Sequence, residues 1–224
     1  MTRLCAYLKT SIVKKQLMGV TGLLLCGFLI SHLIGNCLLY VGPQAFNTYA
    51  YTLTSNPLIY VAEAILAGIF LTHLSLAAKL TLENMNARPQ GYHMKVKTGR
   101  GATFASSTMP YTGFVILVFL ILHLLHFKFG KVYMTTYNGT EMRDLYRTVV
   151  EFYQSPGVVV WYIFSMICLG LHVSHGFWSA FQSIGFNHQK YNCTLKLLSK
   201  IFALIVTIGF SAFPIWGYLQ GGAQ

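Results

Sequence analysis

Charge is what this chain has least of, and acid is scarcest. Only 9% of its 224 residues are charged, and only five of them are Asp or Glu. A soluble globular domain carries about a quarter charged residues, so a water-filled surface on all sides is excluded. The five cysteines, Cys5, Cys26, Cys37, Cys168 and Cys193, show no CxxC or CxxCH spacing. That argues against covalently attached haem and against a zinc or iron–sulfur site, and leaves most of them as small apolar helix residues. No low-complexity tract and no internal repeat stands out. Nothing resembles a dicarboxylate or flavin site. A cleavable signal peptide is not expected: the first apolar stretch is long enough to span, and no small-residue cleavage site follows it.

What fills the chain is apolar: 54% of residues are hydrophobic. A bilayer core takes about 20 apolar residues per helix. Five such stretches are present, roughly 16–41, 57–82, 109–129, 157–181 and 197–219. Little remains for a soluble domain. The expectation is an all-α integral membrane bundle of five transmembrane helices, one domain over 1–224. Pro57, Pro110 and Pro156 mark helix starts, where the missing N–H has no intrahelical partner. Gly42 to Tyr49 has turn chemistry and is expected to run along the interface. Residues 130–156 have room for a short amphipathic helix around 142–154.

The net charge of +11 reads as topology and not as nucleic-acid binding. Lys and Arg collect before the first stretch (Arg3, Lys9, Lys14, Lys15), after the second (Lys79, Arg88, Lys95, Lys97, Arg100) and after the fourth (Lys190, Lys196, Lys200). The loop after the first has none. Lys128, Lys131, Arg143 and Arg147 after the third are nearly balanced by Glu141, Asp144 and Glu151. The positive-inside rule then predicts a cytoplasmic N-terminus and an outside C-terminus. The basic loops also suit a docking partner.

Four of the stretches carry a histidine about two-thirds of the way along: His32, His73, His123 and His172. Histidine inside hydrocarbon is costly and marks function. Successive spans run in opposite directions, so equal progress along the chain means alternating depth. His32 then pairs with His123 near one face, and His73 with His172 near the other, on levels about 15 Å apart. Imidazole suits iron, and facing helices can hold a haem from both sides. The expected cofactors are two haem b groups with bis-histidine axial ligation, which relay electrons. His126 and His175 each lie one turn beyond a candidate ligand, and depth does not choose between the members of each pair. His93 and His188 fall in loops and are read as structural. Gly19, Gly22 and Gly27 on the first stretch let a helix or a flat macrocycle approach closely.

Lys15-Gln16-Leu17-Met18-Gly19-Val20-Thr21-Gly22, followed by His32-Leu33-Ile34-Gly35-Asn36, resembles the first helix of the di-haem cytochrome b anchor subunit of succinate dehydrogenases and fumarate reductases. Gly42 to Tyr49, Ser107 to His123 and, most specifically, Gly170 to Gln182 are similar to later parts of that family. The resemblance covers nearly the whole chain. It implies that His32 and His123 hold a distal haem and His73 and His172 a proximal one, favouring His123 over His126 and His172 over His175. It also implies two cytoplasmic partners, a flavoprotein subunit and an iron–sulfur subunit. It implies a quinone substrate, menaquinone in most members, with the succinate chemistry on another chain. A bacterial inner membrane and a possible dimer of heterotrimers go with it. Two positions depart from the pattern. Gly170 stands where some members have a proton-conducting glutamate, and Ser107 stands where an arginine is common.

Quinone chemistry needs a proton-exchanging group. Glu63 is the only acid well inside an apolar stretch, about 15 Å along the helix from His73, and is expected to be buried with a raised pKa. Asn36, one turn beyond His32, is a candidate for bonding a haem propionate or the quinone; Asn47, Tyr49 and Tyr60 are weaker ones. Other readings are the cytochrome b of a hydrogenase or formate dehydrogenase, or a transporter relaying protons through its histidines.

Overall fold

The computed structural model describes residues 10–87 and 103–221. The basic residues Arg3, Lys9, Arg88, Lys95, Lys97 and Arg100, with Cys5 and His93, lie outside the described residues. Five helices are long and apolar enough to cross a membrane, and the chain is a multi-pass helical membrane protein. They are α1 (Ser11–Asn36, continued by a 3-10 turn Cys37–Tyr40), α3 (Leu58–Asn86), α5 (Met109–His123, continued by a π turn Leu124–Lys128), α7 (Pro156–Ser183) and α8 (Gln189–Gln220). Each predicted stretch lies within or close to one of them, and the helices run several residues further into the interfaces. Thr10 caps α1 by accepting the Val13 N–H, and Pro110 and Pro156 sit in the first turns of α5 and α7.

The start of α1, the ends of α3 and α7 and the start of α8 share one end of the bundle, called inner below. The outer end carries a small cap. Gly42 to Tyr49 is not a turn: Pro43–Thr54 forms a helix, α2. A two-stranded hairpin, β1 (Met134–Tyr137) with β2 (Thr140–Arg143), precedes helix α6 (Leu145–Phe152). The hairpin departs from an all-α reading. Its signal was Asn138-Gly139, the pair that a two-residue turn with positive φ favours; the φ angles are 52° and 76°. Asn47 is fully buried and pins the cap. Its Nδ2 donates to Asp144 Oδ1 at 2.8 Å, and its Oδ1 accepts the Tyr146 N–H at 2.9 Å.

Packing is uneven. α7 makes its broadest contact with α8 and also touches α1 and α5 extensively, whereas α3 and α5 meet only sparsely. Small residues favour these approaches: a Cβ on Gly19 would come within 3.2 Å of the Ala180 carbonyl oxygen, a tight fit that glycine relieves where α1 meets α7. Ser199, fully buried in α8, donates to the Ser174 carbonyl of α7 at 2.6 Å.

Ion pairs fix α3 at both ends. Lys14 of α1 pairs with Glu83 at the inner end, and Lys128 of α5 pairs with Glu63 at the outer end. Glu63 and Glu83 are twenty residues apart, about 30 Å of helix and the thickness of a hydrocarbon core. Glu63 therefore stands at the outer rim and not well inside. Its carboxylate is neither sealed nor alone: the side chain is 42% exposed and ion-paired.

Candidate functional site: two tiers of paired imidazoles

The bundle brings the four mid-span histidines together in two pairs. The His32 and His123 rings stand 5.9 Å apart between centroids, and His73 and His172 stand 6.5 Å apart. The first pair joins α1 to α5 toward the outer end, and the second joins α3 to α7 toward the inner end. His126 falls in the π turn that follows His123, which rotates it away to lie against Phe152 at 4.4 Å. A π turn inserts one residue into a helix and is frequent at functional positions. His175 lies against Trp178 instead of joining the inner pair. His188 caps α8, its Nδ1 accepting the Lys190 N–H.

The inner pair has its protons placed. The Thr21 hydroxyl donates to the Leu17 carbonyl at 2.8 Å and lies 3.2 Å from His73 Nδ1. A hydroxyl has one hydrogen. With that hydrogen committed to the backbone, the oxygen accepts from Nδ1–H, and His73 keeps a bare lone pair on Nε2. Thr112 does the same for His172. It donates to the Thr108 and Met109 carbonyls, both at 3.1 Å, and lies 3.3 Å from Nδ1. The neighbouring glycines clear the space. A Cβ at Gly22 would meet His73 Cε1 at 3.3 Å, and one at Gly113 would meet His172 Cε1 at 3.5 Å. Of the other glycines singled out on α1, Gly19 serves helix packing and Gly27 meets nothing within 4 Å.

These contacts expose an internal repeat that composition alone conceals. Thr21-Gly22 precedes His32 by the spacing at which Thr112-Gly113 precedes His123, and Phe-Leu-Ile stands at 28–30 and again at 119–121. The copies make equal contacts: Phe28 stacks on His32 at 5.3 Å, and Phe119 on His123 at 5.5 Å. α1 with α3 and α5 with α7 are thus two related hairpins, each threonine holding the histidine of the next span. Sequence reading missed Thr21 and Thr112; their signal was this repeated Thr-Gly…His spacing.

The outer pair is held differently. His123 Nδ1 and the Tyr162 hydroxyl are both buried without a hydrogen-bond partner among the described residues, and their rings are 6.3 Å apart. Asn36 donates to the His32 carbonyl at 2.8 Å, so in this structure its amide is spent on its own helix. Asn47 belongs to the cap. Tyr49 packs over Gly35, where a Cβ would meet its hydroxyl at 2.8 Å. Tyr60 is 71% exposed. Ser107 donates to the Phe104 carbonyl within the four-residue helix α4 (Phe104–Ser107). Gly170 faces α8 so tightly that a Cβ would lie 1.9 Å from Thr207 Oγ1.

The spacing of each pair is compatible with one metal between the two rings. An imidazole nitrogen binds a transition metal at about 2.0 Å and the ring centroid lies about 1.1 Å beyond, so trans ligands place centroids about 6.3 Å apart. The observed 5.9 and 6.5 Å bracket that value. Among the described residues no group of three or more His, Cys, Asp or Glu side chains could hold a metal by itself, so a two-ligand site needs the remaining donors from the ligand. No protein-family model, no curated protein and no solved structure matches the chain; the paired tiers are what this chain itself supplies.

Proposed function

We propose that this chain is the membrane anchor and electron-transfer subunit of a succinate:quinone oxidoreductase, with two haem b groups and a quinone, menaquinone as in most members of the resembled family, as its redox partners. The single observation that carries the reading is the spacing of the two imidazole pairs. His32 with His123 and His73 with His172 would each hold one haem, which would supply single-electron exchange.

The chain's own part is positional. Thr21 and Thr112 stand beside Nδ1 of the inner imidazoles and, with their own hydrogens on backbone carbonyls, favour the Nδ1–H form. Gly22 and Gly113 leave room beside them. All four histidines are partly buried within the bundle. Glu63, beside Lys128 at the outer rim, is the group on this chain placed to exchange protons with a quinone; Asn36 is a further contact if its amide turns from the His32 carbonyl. A flavoprotein and an iron–sulfur subunit dock at the inner end, which the basic residues make cytoplasmic, with the C-terminus outside a bacterial cytoplasmic membrane. The dicarboxylate site is on another chain.

The test is a reduced-minus-oxidised spectrum and haem count on the purified complex, repeated for single His→Ala variants at 32, 73, 123 and 172. Two haems per chain, with one lost for each pair broken, is the expected result; a colourless protein ends the reading. Co-purification with a flavoprotein separates this assignment from the cytochrome of a hydrogenase or formate dehydrogenase. The absence of a Soret band points instead to proton relay by the histidines.

A further inference from the structure

The lysines of α8 have no counter-charge in the chain. The five acidic residues are Glu63, Glu83, Glu141, Asp144 and Glu151, and none follows position 151. Glu83 is taken by Lys14, and the other four belong to the outer end, where Glu63 pairs with Lys128 and Glu151 with Arg147. Lys190, Lys196 and Lys200, at the inner end, face no carboxylate among the described residues. Each is exposed.

Lys200 differs from the other two in depth. It is sixteen residues from Trp216, about 24 Å along α8, which puts its Cα inside the rim of a hydrocarbon core of about 30 Å. Lys196, one turn nearer the inner end, sits over the Trp178 ring at 4.7 Å. Tryptophan marks the level of the headgroups. The Lys200 ammonium, on its four-carbon stem, reaches that level from below.

Lys200 also closes the inner end of a groove of about 260 Å³ between α7 and α8. From Lys200 and Ser174 it runs outward past Leu171 and Leu204 to Gly170 and Thr207. The missing side chain at 170 and the Thr207 hydroxyl against it form its floor. The hydroxyls do not make it polar, because Ser174 donates to the Leu171 carbonyl and Thr207 to the Ala203 carbonyl. An apolar furrow facing lipid, with an unpaired cation at its headgroup end, has the chemistry of a phospholipid: chain below, phosphate above.

We propose that the α7–α8 groove seats an acyl chain of an anionic phospholipid whose phosphate is held by Lys200, with Lys196 beside it. Charge complementarity carries the choice of ligand: the chain offers cations here and no acid, and the inner leaflet supplies the anion. The assignment needs these helices to lie in a bilayer with this end at its anionic leaflet, so it stands or falls apart from the haem reading.

The experiment is native mass spectrometry of the whole complex released from nanodiscs of mixed phosphatidylglycerol and phosphatidylcholine. Wild type and Lys200→Arg are expected to retain phosphatidylglycerol in preference to phosphatidylcholine. Lys200→Gln should retain about fivefold less of it, the loss of one lysine's attraction at a membrane surface. Leu204→Trp, which fills the groove from its exposed side, should lower retention with both lysines present. Equal retention of the two lipids by wild type, or unchanged phosphatidylglycerol retention in Lys200→Gln, would overturn the proposal. So would a Lys200→Gln complex that keeps its lipid but sheds its soluble subunits, since the lysine would then face protein.

Discussion

Thr21 and His73 sit 3.2 Å apart across two spans, Oγ1 to Nδ1, and Thr112 and His172 repeat the relationship at 3.3 Å. An acceptor on Nδ1–H makes the imidazole a stronger donor through Nε2 and favours the oxidised metal. Thr21→Val and Thr112→Val should therefore each raise the midpoint potential of one haem and leave the other in place. The expected size is about 40 mV per threonine, one ordinary hydrogen bond converted for a single electron. Serine at either position should restore the original value. A potentiometric titration with resolved α-bands reads this, and a shift of neither haem would remove the threonines from the site.

Gly170 of α7 faces Thr207 of α8 with no room for a side chain, since an added Cβ would lie 1.9 Å from Oγ1. Gly170→Ala should lower thermal stability of the complex by about 1–3 kcal/mol, the usual cost of overpacking. Thr207→Ala in the same chain should recover most of it. Gly170→Glu, which places the acid that some relatives in the resembled family carry, should fail to assemble unless Thr207 is shortened. Haem content after mild heating is the measurement, and an undisturbed Gly170→Glu complex would refute the packing argument.

Glu63 and Lys128 join α3 to α5 at the outer rim. Glu63→Gln is expected to keep both haems and slow quinone turnover. The swapped pair, Glu63→Lys with Lys128→Glu, should restore assembly and not turnover. Steady-state quinone reduction on haem-normalised samples separates the two roles. Unchanged turnover in Glu63→Gln would leave the pair as a tether, worth the small amount of a half-exposed ion pair.

Asn47 holds the outer cap through two bonds, one to a carboxylate and one to a backbone N–H. Asn47→Ala removes both bonds and leaves the Tyr146 N–H unpaired, while Asp144 Oδ1 keeps the Arg147 N–H; it should cost about 1–3 kcal/mol. Asn47→Asp should be worse, because it sets a carboxylate against Asp144. Limited proteolysis between 130 and 156 is the readout, with faster cleavage expected and both haems retained.

The spans were legible because a bilayer imposes one length and one composition, and Pro57, Pro110 and Pro156 punctuated three of them. The pairing of histidines was legible because helix direction alternates. The threonine clasps were hidden, since each links residues fifty or more positions apart and a lone Thr-Gly carries no signal until its second copy is aligned. The hairpin was overlooked although Asn138-Gly139 announces it, because the surrounding strands are only four residues long. The siting of Glu63 depended on Lys128, a partner on another span, and apolar neighbours in sequence said nothing about it. Asn47 looked like a ligand contact for the same reason: its partners, Asp144 and Tyr146, are nearly a hundred residues away.

Because α3 is tethered to α1 at one rim and to α5 at the other, sliding along its own axis is resisted at both ends. A thicker or thinner bilayer is then met by leaning the bundle as a body, and the spacing of the two tiers of imidazoles along the bundle axis is kept while it leans. That spacing is accordingly written into the scaffold and is insulated from the lipid around it.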